Sequence, residues 1–126
     1  MARWGTMANR FSVGERDVRP WGEWEVLDVT EHSCIKRIRV RPGQRLSLQR
    51  HRHRREFWLV VRGRARVERD GETIELGPGE HVVIPLGCWH RVANPGDGPL
   101  EFVEVQTGAH LDEDDIERRE DDYGRV

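Results

Sequence analysis

At 126 residues the chain has room for one domain with one substantial core, and not for two. Charged residues make up 35% of it, and 21 basic residues nearly balance 23 acidic ones, for a net charge of −2. That balance gives no whole-protein pull toward nucleic acid or an anionic membrane. No apolar run approaches the roughly 20 residues of a membrane span, and the N-terminal residues lack the apolar stretch of a secretory signal. A cytoplasmic location is the expectation, with Cys34 and Cys88 far apart and reduced. The basic charge is almost all arginine, Lys36 being the only lysine, a bias that a GC-rich coding sequence would produce by itself.

Helical periodicity is nearly absent, and short β-rich runs alternate with turn signals along the chain. Residues before Arg19 read as an N-terminal arm (1–18). A first strand is predicted over 24–29. The next, over 34–40, carries Ile35, Ile38 and Val40 and stops at Pro42-Gly43. The apolar run 57–61 has the composition of a strand buried on both faces. Residues 64–69 and 73–76 flank Asp70-Gly71, a strong hairpin signal. A strand over 81–84 ends at Pro85, another follows over 89–93, and the loop 94–98 precedes a last strand over 100–106. The acidic tail, 111–126, begins with a run that suits the N-terminus of one short helix, packed on a barrel formed by 19–110. This order fits an all-β jelly roll made of two sheets.

Two segments hold the residues able to do chemistry. Gln49 and His51 stand at i and i+2, the spacing that puts two side chains on one face of a strand. Glu56 and His90 would reach the same point from neighbouring strands. A mixed nitrogen and oxygen donor set without cysteine suits zinc, manganese, iron, cobalt or nickel, and the sequence does not choose among them. His53 falls on the His51 face if the strand continues. The arginine-rich run 50–55 suggests an anion site, although alternate members must face outward.

The spacing is specific. Gly79, Pro85, Gly87, His90 and Asn94 fill every position of the second cupin motif, and Gly43, Gln49, His51, Glu56 and Gly63 fill the first, with Gln49 where most cupins have histidine. Gln-x-His at that place resembles the phosphomannose isomerases. The stretches Arg19-Pro20-Trp21-Gly22, Leu46-Ser47-Leu48-Gln49, Glu104-Val105-Gln106-Thr107-Gly108 and Asp122-Tyr123-Gly124-Arg125 extend the likeness to the C-terminal domain of type II members. That resemblance implies a cupin double-stranded β-helix and one divalent metal, zinc first, held by Gln49, His51, Glu56 and His90. It further implies interconversion of mannose 6-phosphate and fructose 6-phosphate, with Arg54, Arg91 and Arg125 as phosphate contacts.

His53 is the expected base, on chemical suitability. Phe57 stands where type II members carry a histidine, and nothing in the chain resembles their nucleotidyltransferase domain. A non-catalytic module that binds a sugar phosphate or nucleotide sugar, with a separate guanylyltransferase chain as its partner, is therefore the second reading. A metal-dependent cupin of another activity, such as a dioxygenase, is the third. The open edges of a jelly roll point to a homodimer.

Overall fold

The computed structural model describes residues 11–109, 111–112 and 114–125. Within them are eleven strands: β1 (Arg16–Arg19), β2 (Gly22–Val29), β3 (Ser33–Val40), β4 (Leu48–Arg50), β5 (Arg54–Arg62), β6 (Ala65–Arg69), β7 (Glu72–Leu76), β8 (His81–Ile84), β9 (His90–Ala93), β10 (Leu100–Gly108) and β11 (Glu117–Glu120). They form a six-stranded sheet, β1-β2-β3-β10-β5-β8, and a five-stranded sheet, β11-β4-β9-β6-β7. Every named pairing is antiparallel. This is the all-β double-stranded β-helix the sequence pattern predicts.

Strand alternation explains which side chains face inward. In β3 the buried set is Cys34, Lys36, Ile38 and Val40; in β10 it is Leu100, Phe102, Glu104 and Gln106; in β5 it is Arg54, Glu56, Trp58 and Val60. The registers stack these into rows across the sheet. Val40 lies opposite Leu100, and Phe102 lies between Ile38 and Val60. The next row is Lys36, Glu104, Trp58 and Val82, followed by Cys34, Gln106, Glu56 and Ile84. The inner face therefore changes from purely apolar at one end of the barrel to strongly polar at the other. The opposing sheet adds Ala65, Val67, Leu76 and Val92 to the apolar core.

Asp70 and Gly71 both have positive φ (47° and 84°), as a two-residue hairpin turn requires, and they join β6 to β7 at the predicted place. Both cysteines are free and buried.

Three expectations need correction. The segment read as an arm contains β1, which pairs with β2, and Phe11, which is 7% exposed and meets Trp24 edge-on. Residues 1–10 lie outside the described part. The tail holds no helix among its described residues; β11 instead pairs with β4, and Leu111 is fully buried. The run 57–61 is not buried on both faces, since Phe57 and Leu59 are half-buried and Val61 is 50% exposed. No described element covers that outer face.

The barrel's apolar end is closed by the loop after β9. Asn94 is 2% exposed, donates to the carbonyls of Val40 and Gly98, and accepts from the Gly96 amide. Asn94→Ala would leave buried backbone groups without partners. The expected loss is about 3 kcal/mol, read as a lower urea midpoint at unchanged m-value.

Candidate functional site

Glu56 projects from β5 into the polar end of the barrel and is 2% exposed. His51 Nε2 lies 3.2 Å from its Oε2, and His90 Nε2, at the start of β9, lies 3.9 Å from its Oε1. Both imidazoles are fixed at their other nitrogen. His51 Nδ1 is 2.6 Å from the Asp115 carbonyl oxygen, and His90 Nδ1 is 2.9 Å from that of Cys88. A carbonyl can only accept, so each Nδ1 carries the proton and each Nε2 presents its lone pair toward Glu56. Ligand atoms of the three residues all lie within 4.8 Å of one another. Gln49 is cross-strand partner to His90 and lines the same cavity, its amide nitrogen 3.0 Å from Ser47 Oγ.

The electrostatics suit a cation. Burial pushes His51 down to about 4 and lowers His90 as well, so both rings are neutral at physiological pH. Burial works against ionisation of Glu56, but the Arg54 guanidinium and a hydrogen bond from Glu104 outweigh it and hold its carboxyl well below the usual range. Two neutral imidazoles and one carboxylate, each imidazole oriented by a backbone carbonyl, are the donor chemistry and support that divalent metals take. The cluster fits such an ion.

Comparison with known proteins places this geometry. Residues 8–121 match the family model described as mannose-6-phosphate isomerase, C-terminal. The chain belongs to that family. It is 51% identical over 108 residues to mannose-1-phosphate guanylyltransferase ManC of Salmonella typhimurium and, equally, to alginate biosynthesis protein AlgA of Pseudomonas aeruginosa. Each match takes in 86% of this chain and 22% of the relative, so the chain spans about a fifth of the length of the curated relatives it matches. Among solved structures, KdgF from Halomonas superposes with a TM-score of 0.71 at 20% identity, covering 78% of this chain and 86% of KdgF. Oxalate decarboxylase from Lactobacillus farciminis gives 0.72 at 23% identity, covering 82% and 33%. These two likenesses establish the cupin fold.

In this member of the isomerase family the cavity lies between the two sheets. Glu56, His90 and Gln49 line it together with Lys36, Glu104 and Gln106, and so do five arginines: Arg19, Arg54, Arg91, Arg118 and Arg125. Trp21, Trp24, Trp58 and Phe102 supply apolar wall. The three arginines expected to contact phosphate, Arg54, Arg91 and Arg125, all line the cavity, in different situations. Arg54 is 3% exposed, donates from Nε to Glu56 Oε2 at 2.9 Å and sets an Nη 3.4 Å from His51 Nε2, so it belongs to the ligand cluster itself. Arg91 is 2% exposed and donates to Glu120 Oε1 at 3.2 Å, while its Nε has no hydrogen-bond partner. Arg125 is held by a two-pronged pair with Asp121 at 2.8 and 3.0 Å.

His53 is not in this cavity. Residues 51–53 form a bend rather than strand, so the i, i+2 relation to His51 does not hold there. Its side chain is exposed beside a separate open depression with Arg52, Asp114 and Glu117. The bend is pinned by Asp115, whose Oδ1 and Oδ2 accept from the amides of Arg52 and His53 at 3.0 Å each. Asp115, read as part of a solvated acidic run, is only 9% exposed.

Lys36, Glu104, Arg19 and Arg118 were not singled out from the sequence for the site. A signal for the first two exists: in their strands each is in phase with core residues, which an ionisable side chain seldom is. Burial and the neighbouring Glu56 carboxylate raise Glu104 well above the usual carboxylate range, so it is the protonated member of the pair and donates to Glu56.

A group whose carboxyl is raised on folding stabilises the fold fully below its unfolded value, near 4.5, and loses that contribution as the pH climbs through the folded value. Glu104 therefore weighs against the metal-free fold at neutral pH. Glu104→Gln keeps a donor to Glu56 without that dependence. The melting temperature of the metal-free variant is expected to exceed that of the parent at pH 8, with the gap closing toward pH 4.5. A gap independent of pH would contradict the assignment.

Proposed function

We propose that this chain is a metal-dependent sugar-phosphate isomerase that interconverts mannose 6-phosphate and fructose 6-phosphate. The observation that carries the proposal is the His51, Glu56 and His90 cluster, at the polar end of a cavity whose wall is crowded with arginine. Family membership supports the same reaction. The names of the relatives, a guanylyltransferase and an alginate biosynthesis protein, support nucleotide-sugar precursors as its setting.

The chemistry requires a hydrogen to move between C1 and C2 while negative charge passes through an enediolate. His51, Glu56 and His90, with the amide oxygen of Gln49, would hold one divalent ion, zinc by family resemblance. Bound there, the ion would supply Lewis-acid polarisation of the sugar carbonyl. The chain's own groups do the rest. Arg91, Arg118, Arg19 and Arg125 offer charge-assisted contacts to a dianionic phosphate and would fix the sugar so that its C1–C2 end lies toward Glu56. The Asp115 and Cys88 carbonyls keep both imidazoles in one tautomer. Trp21, Trp24, Trp58 and Phe102 exclude water from the space between.

The position of His53 favours keeping the second reading, a module that binds the sugar phosphate without turning it over. With His53 outside the cavity, the described histidine at its wall, His90, belongs to the ligand cluster.

A coupled assay on zinc-, manganese- or cobalt-loaded protein tests the proposal. Turnover of mannose 6-phosphate is expected, and purified, loaded protein that leaves both sugar phosphates unchanged while binding them would establish the binding module instead. His90→Ala is expected to abolish tight binding of the cation in equilibrium dialysis and turnover with it. Asp115→Ala leaves the ligands in place but frees the bend. It should weaken cation affinity by about 10- to 100-fold, the usual effect of losing a group that orients a ligand.

A further inference from the structure

Lys36 is the only lysine in a chain with 21 basic residues. It is 2% exposed, on the inner face of β3, and it lines the cavity. Its neighbours Arg37 and Arg39, on the outer face of the same strand, pair with the surface carboxylates Glu25, Glu23 and Glu101. On this strand the outward cations are arginine and the inward one is the lysine, which joins the buried Arg54 and Arg91 as a cation turned into the barrel. The Lys36 ammonium lies 3.9 Å from the Phe11 ring centroid and 4.3 Å from that of Trp24. A compact ammonium on a thin stem fits between two ring faces where a planar guanidinium would need a wider gap.

Burying a charge is costly, and an apolar side chain of similar volume would serve packing as well or better. Lys36 has apolar company along its own strand in Ile38 and Val40, and along β2 in Trp24 and Val26. A charge kept in that setting, on the wall of a ligand cavity, points to a role toward the ligand. Its row identifies which part of the ligand. Lys36 faces Glu104 across β3 and β10, and Glu104 in turn hydrogen-bonds Glu56. β10 alone separates β3 from β5 in the sheet, so Lys36 and Glu56 belong to the same cavity wall, two strand spacings of about 4.8 Å apart, with Glu104 on the strand between them.

Resting on the isomerase reading above, we propose that Lys36 is a catalytic residue whose ammonium hydrogen-bonds the substrate oxygen at C1 or C2 on which negative charge develops. The contact is a hydrogen bond, and no covalent bond to Lys36 forms or breaks. The phosphate is left to the arginines.

The experiment is calorimetry on zinc-loaded parent, Lys36→Met and Lys36→Gln proteins, with two probes. One is inorganic phosphate, and the other is a five-carbon aldonohydroxamate phosphate that mimics the planar, anionic enediolate. Turnover is measured in parallel. Either substitution should weaken the hydroxamate by about 100-fold and lower kcat by about 100- to 1000-fold, the scale of losing one oxyanion donor. Inorganic phosphate affinity, zinc stoichiometry and KM should change by less than about threefold by the same reasoning. Using both variants protects the test if one fails to fold.

Hydroxamate affinity equal to the parent's would overturn the proposal. So would equal weakening of both probes, which marks a structural role. A parent protein without turnover that still binds the hydroxamate through Lys36 would sink the isomerase reading while leaving the contact in place. A parent that binds neither probe would remove both.

Discussion

Glu56 is 2% exposed, yet its carboxylate is kept ionised by groups from separate parts of the chain. Arg54 donates from the same strand, His51 stands before it, His90 arrives from the other sheet, and Glu104 donates from the adjoining strand. Trp58 Nε1 adds a fifth contact at 2.9 Å. A buried carboxylate surrounded in this way is expensive to desolvate and is tolerated only while its partners stay in place. Removing Arg54, the cation among these contacts, leaves an uncompensated buried charge, and His90 brings the second sheet into the same cluster. The apolar rows at the opposite end of the barrel provide the stability against which that cost is set. The same arrangement that makes Glu56 costly in a metal-free molecule gives it the ionised oxygens that the proposed cation would need.

The tail contributes more than cover. Asp115 uses its backbone oxygen to orient His51 and its two carboxylate oxygens to pin the bend that follows it. Leu111 anchors this stretch in the core, and the Tyr123 hydroxyl lies 2.7 Å from Gln44 Oε1 near the start of β4. β11 pairs with β4, bringing Arg118 opposite Gln49. One segment therefore sets a ligand's tautomer and also delivers two of the cavity's arginines, Arg118 and Arg125. The proposed anion and cation sites share a physical support, so a change that frees the tail should disturb both together.

The strands that were legible are those with a clean two-residue period bounded by Gly, Pro or Asp-Gly. β8 matches residue for residue, and β3, β6, β7 and β9 match within one residue at each end. β1, β4 and β11 were missed because they are three or four residues long, and β1 and β11 are mostly charged, so that their pairing comes from neighbours and not from local pattern. In β3, taking Ile35 with Ile38 and Val40 as the apolar set mixed two faces, since 35 and 38 differ by an odd number. Keeping strict phase would have grouped Cys34, Ile38 and Val40 and left Lys36 as the ionisable residue among them. His53 failed for the converse reason: alternation was carried into a bend that side-chain hydrogen bonds hold out of the ladder. Motif spacing located His51, Glu56 and His90 because it records which residues a fixed barrel brings together. It carried no information about Arg19 or Arg118, which reach the cavity through pairing of polar edge strands.

The curated relatives are nearly five times as long as the region they share with this chain, which raises the question of how much of the site depends on what lies outside that region. The ligand cluster and the contacts that shape it come from Ser47 to Asp115, inside the matched stretch 8–121. Each orienting carbonyl is held by local backbone: the Asp115 amide bonds to Asp112, the Cys88 amide to Pro85, and Gly87 to His51 itself. That last bond joins the two histidine-bearing segments directly, so the spacing between their rings is set by main chain, not by packing against another domain. Cation affinity should therefore be a property of this barrel alone. The proposed turnover has a second requirement, positioning of the phosphate, and three of the four arginines assigned to it, Arg19, Arg118 and Arg125, sit on edge strands or the tail, where a neighbouring domain could add or withhold order. If fusion matters to activity, the dependence is expected in KM for the sugar phosphate, with affinity for the cation left as it is.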